Sequence, residues 1–134
     1  MKRIFLIGLV LVIFIMPEGN CQRSRDKVKI KPDSLKVDSV EYKLIVFDPG
    51  FDSWIATKPQ MNFYSKEYYE TKNRLYVTEW NYRNQQPLTF GDLYDSKIEY
   101  YFNVDYGIEL NYRLYYYFRF FEETNHISLI NQVH

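Results

Sequence analysis

Five consecutive side chains, Glu79 to Arg83 in the stretch VTEWNYRNQQP, offer a carboxylate, an indole, an amide, a phenol and a guanidinium. Such a set can bind a polar ligand, or it can pin neighbouring elements together through satisfied hydrogen bonds. Glu79 and Arg83 stand four apart in acid-first order, the spacing of an ion pair on a helix surface. Trp80 follows Tyr76 by four, which puts both rings on one face and leaves Asn81 to reach across to a loop. We read the stretch as a structural seam first and a binding site second.

Other chemistry is sparse. His126 and His134 both lie near the C-terminus without metal-ligand spacing, and Cys21 is the only cysteine. The five glycines form no phosphate-cradling loop, and Ser53, Ser65 and Ser96 lack the glycines of a nucleophile elbow. Asp92 to Glu99, DLYDSKIE, has the acidic rhythm of a calcium loop without its central glycine. Carboxylates are the remaining acid–base candidates, namely Asp48, Asp52, Glu79 and Asp105. Each has a structural role open to it: Asp48 in a turn, Asp52 and Asp105 as helix caps, Glu79 as the partner of Arg83. The expectation is therefore no catalytic residue, no metal and no cofactor, with a carboxylate-based hydrolase as the third-ranked function.

The N-terminus reads as an address. Lys2 and Arg3 precede Ile4 to Met16, a run with no polar side chain. At about 1.5 Å per residue the run spans roughly 20 Å, short of the ~30 Å hydrocarbon core. It fits a signal peptide over residues 1–21 better than a permanent anchor. Gly19 and Cys21 supply the small residues for a cut before Gln22, which would leave a chain without cysteine. The alternative is acylation at Cys21, against which Glu18 is a poor fit. Seventeen basic and seventeen acidic residues balance, so nothing asks for nucleic acid. Contact with a membrane is expected only through a lipid at Cys21.

Four segments follow from composition. After the signal peptide, residues 22–39 are crowded with Lys and Arg, have no aromatic, and read as a basic tether or arm, with an edge strand as the other reading. Residues 40–123 form the single globular domain, and 124–134 a tail expected to fray. VEYKLIVF predicts a strand over about 40–47 that ends at the turn Asp48-Pro49-Gly50. Ser65 predicts the cap of a helix over about 65–84, supported by Glu70–Arg74 and Glu79–Arg83 spacings. LYVTEWNY, Leu75 to Tyr82, also has the composition of a strand. SKIEYYFN predicts a second strand over about 96–103, antiparallel to the first. A last helix, about 106–123, follows the cap Asp105 and carries Ile108, Leu114, Tyr115, Phe118 and Phe121 at helical intervals. The fold class is α+β, two main helices on a small sheet.

All fourteen tyrosines lie between Tyr42 and Tyr117, and YYYFRFF, Tyr115 to Phe121, is the densest aromatic run. Rings on every side of a helix cannot all face one small core. One reading is a core in which Tyr replaces Leu, with hydroxyls at its margins. The functional reading, ahead of sugar stacking, is an aromatic-rich docking face. Trp54, Trp80, Glu79, Asn81, Arg83, Tyr115 and Tyr116 are the candidate ligand- or partner-binding residues. The function so implied is a non-enzymatic interaction or structural module whose partner is another protein. The alternative is a glycan or small-ligand binder that stacks sugars on Trp and Tyr.

FDPGFDSW (Phe47 to Trp54), FYSKEYYETKNRLYVTEWNYRNQQP (Phe63 to Pro87) and DYGIELNYRLYYYF (Asp105 to Phe118) add a resemblance. Together they resemble a family of short exported bacterial proteins of unknown function, domain of unknown function 6146, many of them lipoproteins. The resemblance implies a periplasmic or cell-envelope location and an envelope protein as partner. It brings no activity, ligand or catalytic residue.

Overall fold

Ser65 opens the first long helix: its hydroxyl accepts the Tyr68 N–H at 3.1 Å, as its sequence position predicts. The structure, a computed structural model, describes residues 27–36 and 39–131. The expected signal peptide, the cleavage or acylation point at Cys21 and Gln22, and the start of the arm lie outside the described residues. Two strands, β1 (Val28–Lys36) and β2 (Ser39–Val46), precede four helices, α1 (Phe51–Ile55), α2 (Lys66–Asn84), α3 (Pro87–Phe90) and α4 (Gly107–Asn125). The class is α+β.

Both long helices form where the patterns place them, and Leu75 to Tyr82 is helical. Tyr69, Asn73, Tyr76 and Trp80 recur at intervals of four and three, and all are fully buried. This face of α2 packs on Leu114, Tyr117, Phe118 and Phe121 of α4. Tyr76 stacks on Phe118 at 4.8 Å, and Trp80 meets Phe121 edge-on at 4.6 Å. Two asparagines hold the register. Asn73 donates to the Asn111 carbonyl at 2.9 Å and to Asn111 Oδ1 at 3.1 Å, and Tyr100 donates to the same Oδ1 at 2.7 Å. Asp105 accepts the Gly107 N–H at 3.0 Å, but it stands one residue before the cap position of α4, which Tyr106 holds without a side-chain bond.

The sheet differs from expectation. β2 pairs with β1, antiparallel, with Val28 opposite Val46 and one extra residue, Asp33, between the Pro32 and Ser34 pairings. Residues 28–36 are thus strand and not a tether: Val28 is buried and Ile30 half-buried between exposed Lys29 and Lys31. Charge density hid that alternation. Residues 96–103 form no strand, because other groups occupy their backbone. Trp80 Nε1 donates to the Ser96 carbonyl at 2.8 Å, Asn81 binds Ile98 in both directions, and the Tyr101 N–H donates to the Tyr106 hydroxyl at 3.0 Å.

Three smaller expectations are also corrected. The tail does not fray through Asn131: Leu129 is buried and its N–H donates to Glu122 Oε1 at 2.8 Å. Asp52 caps nothing; α1 starts after Gly50, whose φ of 86° suits glycine, and the Trp54 N–H bonds the Gly50 carbonyl at 2.9 Å. Glu70 lies 4.0 Å from Lys66, while Arg74 turns to the Phe102 carbonyl at 3.4 Å.

Candidate functional site

The turn at Gly50 aims α1 across α4. Phe51 is buried against Tyr117 and Phe120, at 5.8 and 5.6 Å. Asp52 reaches Arg113 of α4 at 2.8 Å across the crossing. Trp54 is therefore held over α4 with its ring half-buried, 6.3 Å from Tyr116 and 5.4 Å from Phe120. Below it, α4 presents Tyr115, Arg119 and Glu122 at helical spacing, and Tyr64 closes the row from just before the Ser65 cap. Together with Lys58 and Glu123 these side chains line an open groove of about 900 Å³.

The groove is aromatic on one flank and charged on the other. Lys58 Nζ lies 4.0 Å from the Trp54 ring centre and 3.9 Å from Glu123 Oε2. Arg119 donates to Glu122 Oε2 at 3.3 Å. Glu122 is almost wholly buried, and its partners are shared between elements: Tyr76 from α2 donates to Oε2 at 3.1 Å, and the Leu129 N–H to Oε1. Burial pushes the Tyr116 hydroxyl up to about 12. Burial first, then the Tyr68 hydroxyl, raises Tyr115 as well. Both phenols stay neutral near pH 7 and offer hydrogen bonds rather than proton abstraction.

The structure brings Trp54, Tyr115 and Tyr116 together and places the other four candidates in a second cluster. Trp80 is core. Glu79 accepts from Arg83 Nε at 2.7 Å, and Arg83 goes on to the Tyr94 hydroxyl at 2.8 Å and the Ser128 carbonyl at 3.1 Å. Burial opposes the Arg83 charge most, yet Glu79 and Tyr94 outweigh it and the pKa rises. Asn84 adds a bond to the Tyr94 carbonyl at 2.6 Å. This is the seam read in Glu79 to Arg83: it straps residues 94–98 and the tail onto α2. Ser128 lines the groove, so Arg83 also braces its rim.

Sequence reasoning missed Lys58, Tyr64, Arg119 and Glu122. The last two had a readable signal, since residues 115, 119 and 122 share one helix face. Lys58 and Tyr64 come from the segment between α1 and α2, where no period announces them. The four carboxylates singled out earlier are engaged in separate contacts: Asp48 accepts from the Tyr117 hydroxyl at 2.9 Å, and Asp52, Glu79 and Asp105 bind Arg113, Arg83 and Lys66. Among the described residues no group of three or more His, Cys, Asp or Glu is placed to hold a metal ion.

No curated protein and no solved structure matches the chain. Residues 4–132, nearly its whole length, match the model of a family of unknown function, DUF6146. The chain belongs to that family.

Proposed function

We propose that the chain is a non-enzymatic docking module of the cell envelope, exported by residues 1–21, whose aromatic groove receives part of another envelope protein. One observation carries this: Trp54, Tyr64, Tyr115 and Tyr116 converge on a single open groove flanked by Lys58, Arg119, Glu122 and Glu123. Trp, Tyr and Arg are the residues that concentrate binding energy at protein interfaces. Tyr115 and Tyr116 are held neutral and the nearby carboxylates are bonded, which favours recognition over proton transfer.

The test is a cross-linked pull-down of the tagged protein from its own envelope fraction, with Trp54→Ala in parallel. One partner recovered in near-stoichiometric yield, and lost with Trp54→Ala, supports docking. No partner from a folded, abundant protein shifts the weight to the glycan reading, which the half-exposed Trp54 ring favours. Intact-mass analysis addresses Cys21: a chain starting at Gln22 means cleavage, and added acyl mass means a lipid anchor.

A further inference from the structure

The two strands of the sheet guard their outer edges differently. The Phe47 N–H donates to the Lys27 carbonyl at 2.8 Å, which sets the phase of the antiparallel ladder. Alternate residues of such a pair bond the neighbouring strand, and those between turn their N–H and C=O groups outward. Glu41, Lys43 and Ile45 therefore face β1, while Val40, Tyr42, Leu44 and Val46 present main-chain groups to the free edge of β2. On β1 the outward residues are Val28, Ile30 and Pro32, and the extra residue Asp33 follows. Pro32 has no N–H to offer and the bulge bends the strand, two devices that keep another strand off an edge. β2 has neither. Among the described residues no hydrogen bond beyond the β1 pairing reaches the main chain of Val40, Tyr42, Leu44 or Val46. Val40 to Leu44, residues of both faces in succession, line an open groove of about 890 Å³ that residues 105–110 at the start of α4 also line. The space beside this edge is open.

We infer that β2 pairs with β2 of a second copy of the chain, antiparallel and centred on Tyr42, so that two hairpins join into one four-stranded sheet. The strand's own sequence selects this occupant. With Tyr42 opposite Tyr42 of the second copy, Val40 meets Leu44 and Glu41 meets Lys43, and twofold symmetry makes each of these contacts twice. Outward-facing residues then oppose outward-facing residues, as an antiparallel ladder requires. Each pair also shares a face, apolar with apolar on the core side and acid with base on the other. Centring on Leu44 keeps the ladder but sets Lys43 against Ile45 and forfeits both ion pairs. The pairing also offsets a cost within the chain. Lys31 lies directly opposite Lys43 in the hairpin, where like charges are unfavourable. Glu41 of the second copy brings the opposite charge to Lys43 from its open side. This contact is separate from the groove at Trp54 and stands without it.

Sedimentation velocity on the full chain as the cell processes it, from micromolar to near-millimolar concentration, should show a reversible monomer–dimer equilibrium. Amide exchange followed by NMR identifies the surface: the Tyr42 and Leu44 N–H groups should gain protection as the dimer fills, while Ile30 on the other edge does not. Lys43→Glu should weaken dimerisation on the order of tenfold, because both ion pairs between the copies become repulsions. The same variant should melt no lower than the parent, since Lys31 then faces an acid. Exchanging the charges, Glu41→Lys with Lys43→Glu, should restore the dimer. Val40→Pro removes an outward N–H, leaves the β1 ladder its bonds and should abolish dimerisation. A chain that stays monomeric throughout overturns the inference, as does a dimer that leaves Tyr42 and Leu44 exchanging freely or ignores Lys43→Glu. Failure of the exchanged charges to restore the dimer overturns the register. A monomeric chain whose Val40→Pro variant loses a captured protein means that the edge takes a foreign strand, and this too overturns pairing with a second copy.

Discussion

Asn81 and Ile98 exchange two hydrogen bonds: the Asn81 amide donates to the Ile98 carbonyl at 3.0 Å and accepts the Ile98 N–H at 2.9 Å. A side chain here supplies both bonds that a neighbouring strand would have made. Asn81→Ala leaves a half-buried donor and acceptor without partners, so about 1–3 kcal/mol of stability should be lost. Asn81→Asp keeps the acceptor but sets a carboxylate oxygen against the Ile98 carbonyl, and its loss should be at least as large. Urea unfolding measures both.

The two tryptophans divide structure from recognition. Trp80→Ala should cost about 3–5 kcal/mol, since the ring is fully buried among Tyr94, Tyr117, Phe118 and Phe121. Trp54→Ala should cost clearly less and abolish partner capture. Thermal melts beside pull-downs separate the effects. A Trp80→Ala protein that melts normally and only fails to bind would reverse the assignment.

The contrast between these residues shows how far the sequence was legible. Trp80 could be placed because Tyr69, Tyr76 and Trp80 repeat with the helix, and Ser65 could be placed as a cap by local chemistry. The 96–103 segment could not. Its strand-like composition is overruled by Trp80, Asn81 and Tyr106, whose reach to its backbone is a tertiary fact. Val28 to Lys31 shows the reverse, an alternation disguised by lysines that an edge strand commonly carries. Asn73 and Asn111 are polar by type, and only their mutual bonds make them core. Of the groove, the α4 half was written in a period, while α1 reaches it through a turn whose direction no period encodes.

Alkaline pH should unfold the protein cooperatively. Burial raises Tyr100 and Tyr115, and raises Tyr117 further with the Asp48 carboxylate beside it, all from an ordinary value of 10.0. A raised folded pKa stabilises fully below the unfolded value and less as pH climbs above it. Stability should therefore hold to about pH 10 and then fall. Tyrosinate absorbance from Tyr100, Tyr115 and Tyr117 should appear together with loss of helical ellipticity. Smooth, early titration of every tyrosine in a folded protein contradicts this.

Acid acts on a different contact. The Gly107 N–H, then Lys66, holds Asp105 below the usual carboxylate range. Its contribution is present above the ordinary value of 3.8 and disappears as pH falls through the lower folded pKa. Asp105→Asn should consequently flatten the acid limb of a stability–pH curve. An unchanged acid limb counts against the assignment.

The ring lattice of the core has an optical consequence. Tyr94 and Tyr117 lie 5.1 and 6.2 Å from Trp80, and Tyr116 lies 6.3 Å from Trp54. At such separations, excitation absorbed by a phenol passes to an indole by dipolar transfer faster than the phenol emits. The folded chain should glow almost wholly as tryptophan although it holds fourteen tyrosines and two tryptophans. Tyrosine light emerges once the lattice comes apart, so the chain carries its own gauge of intactness.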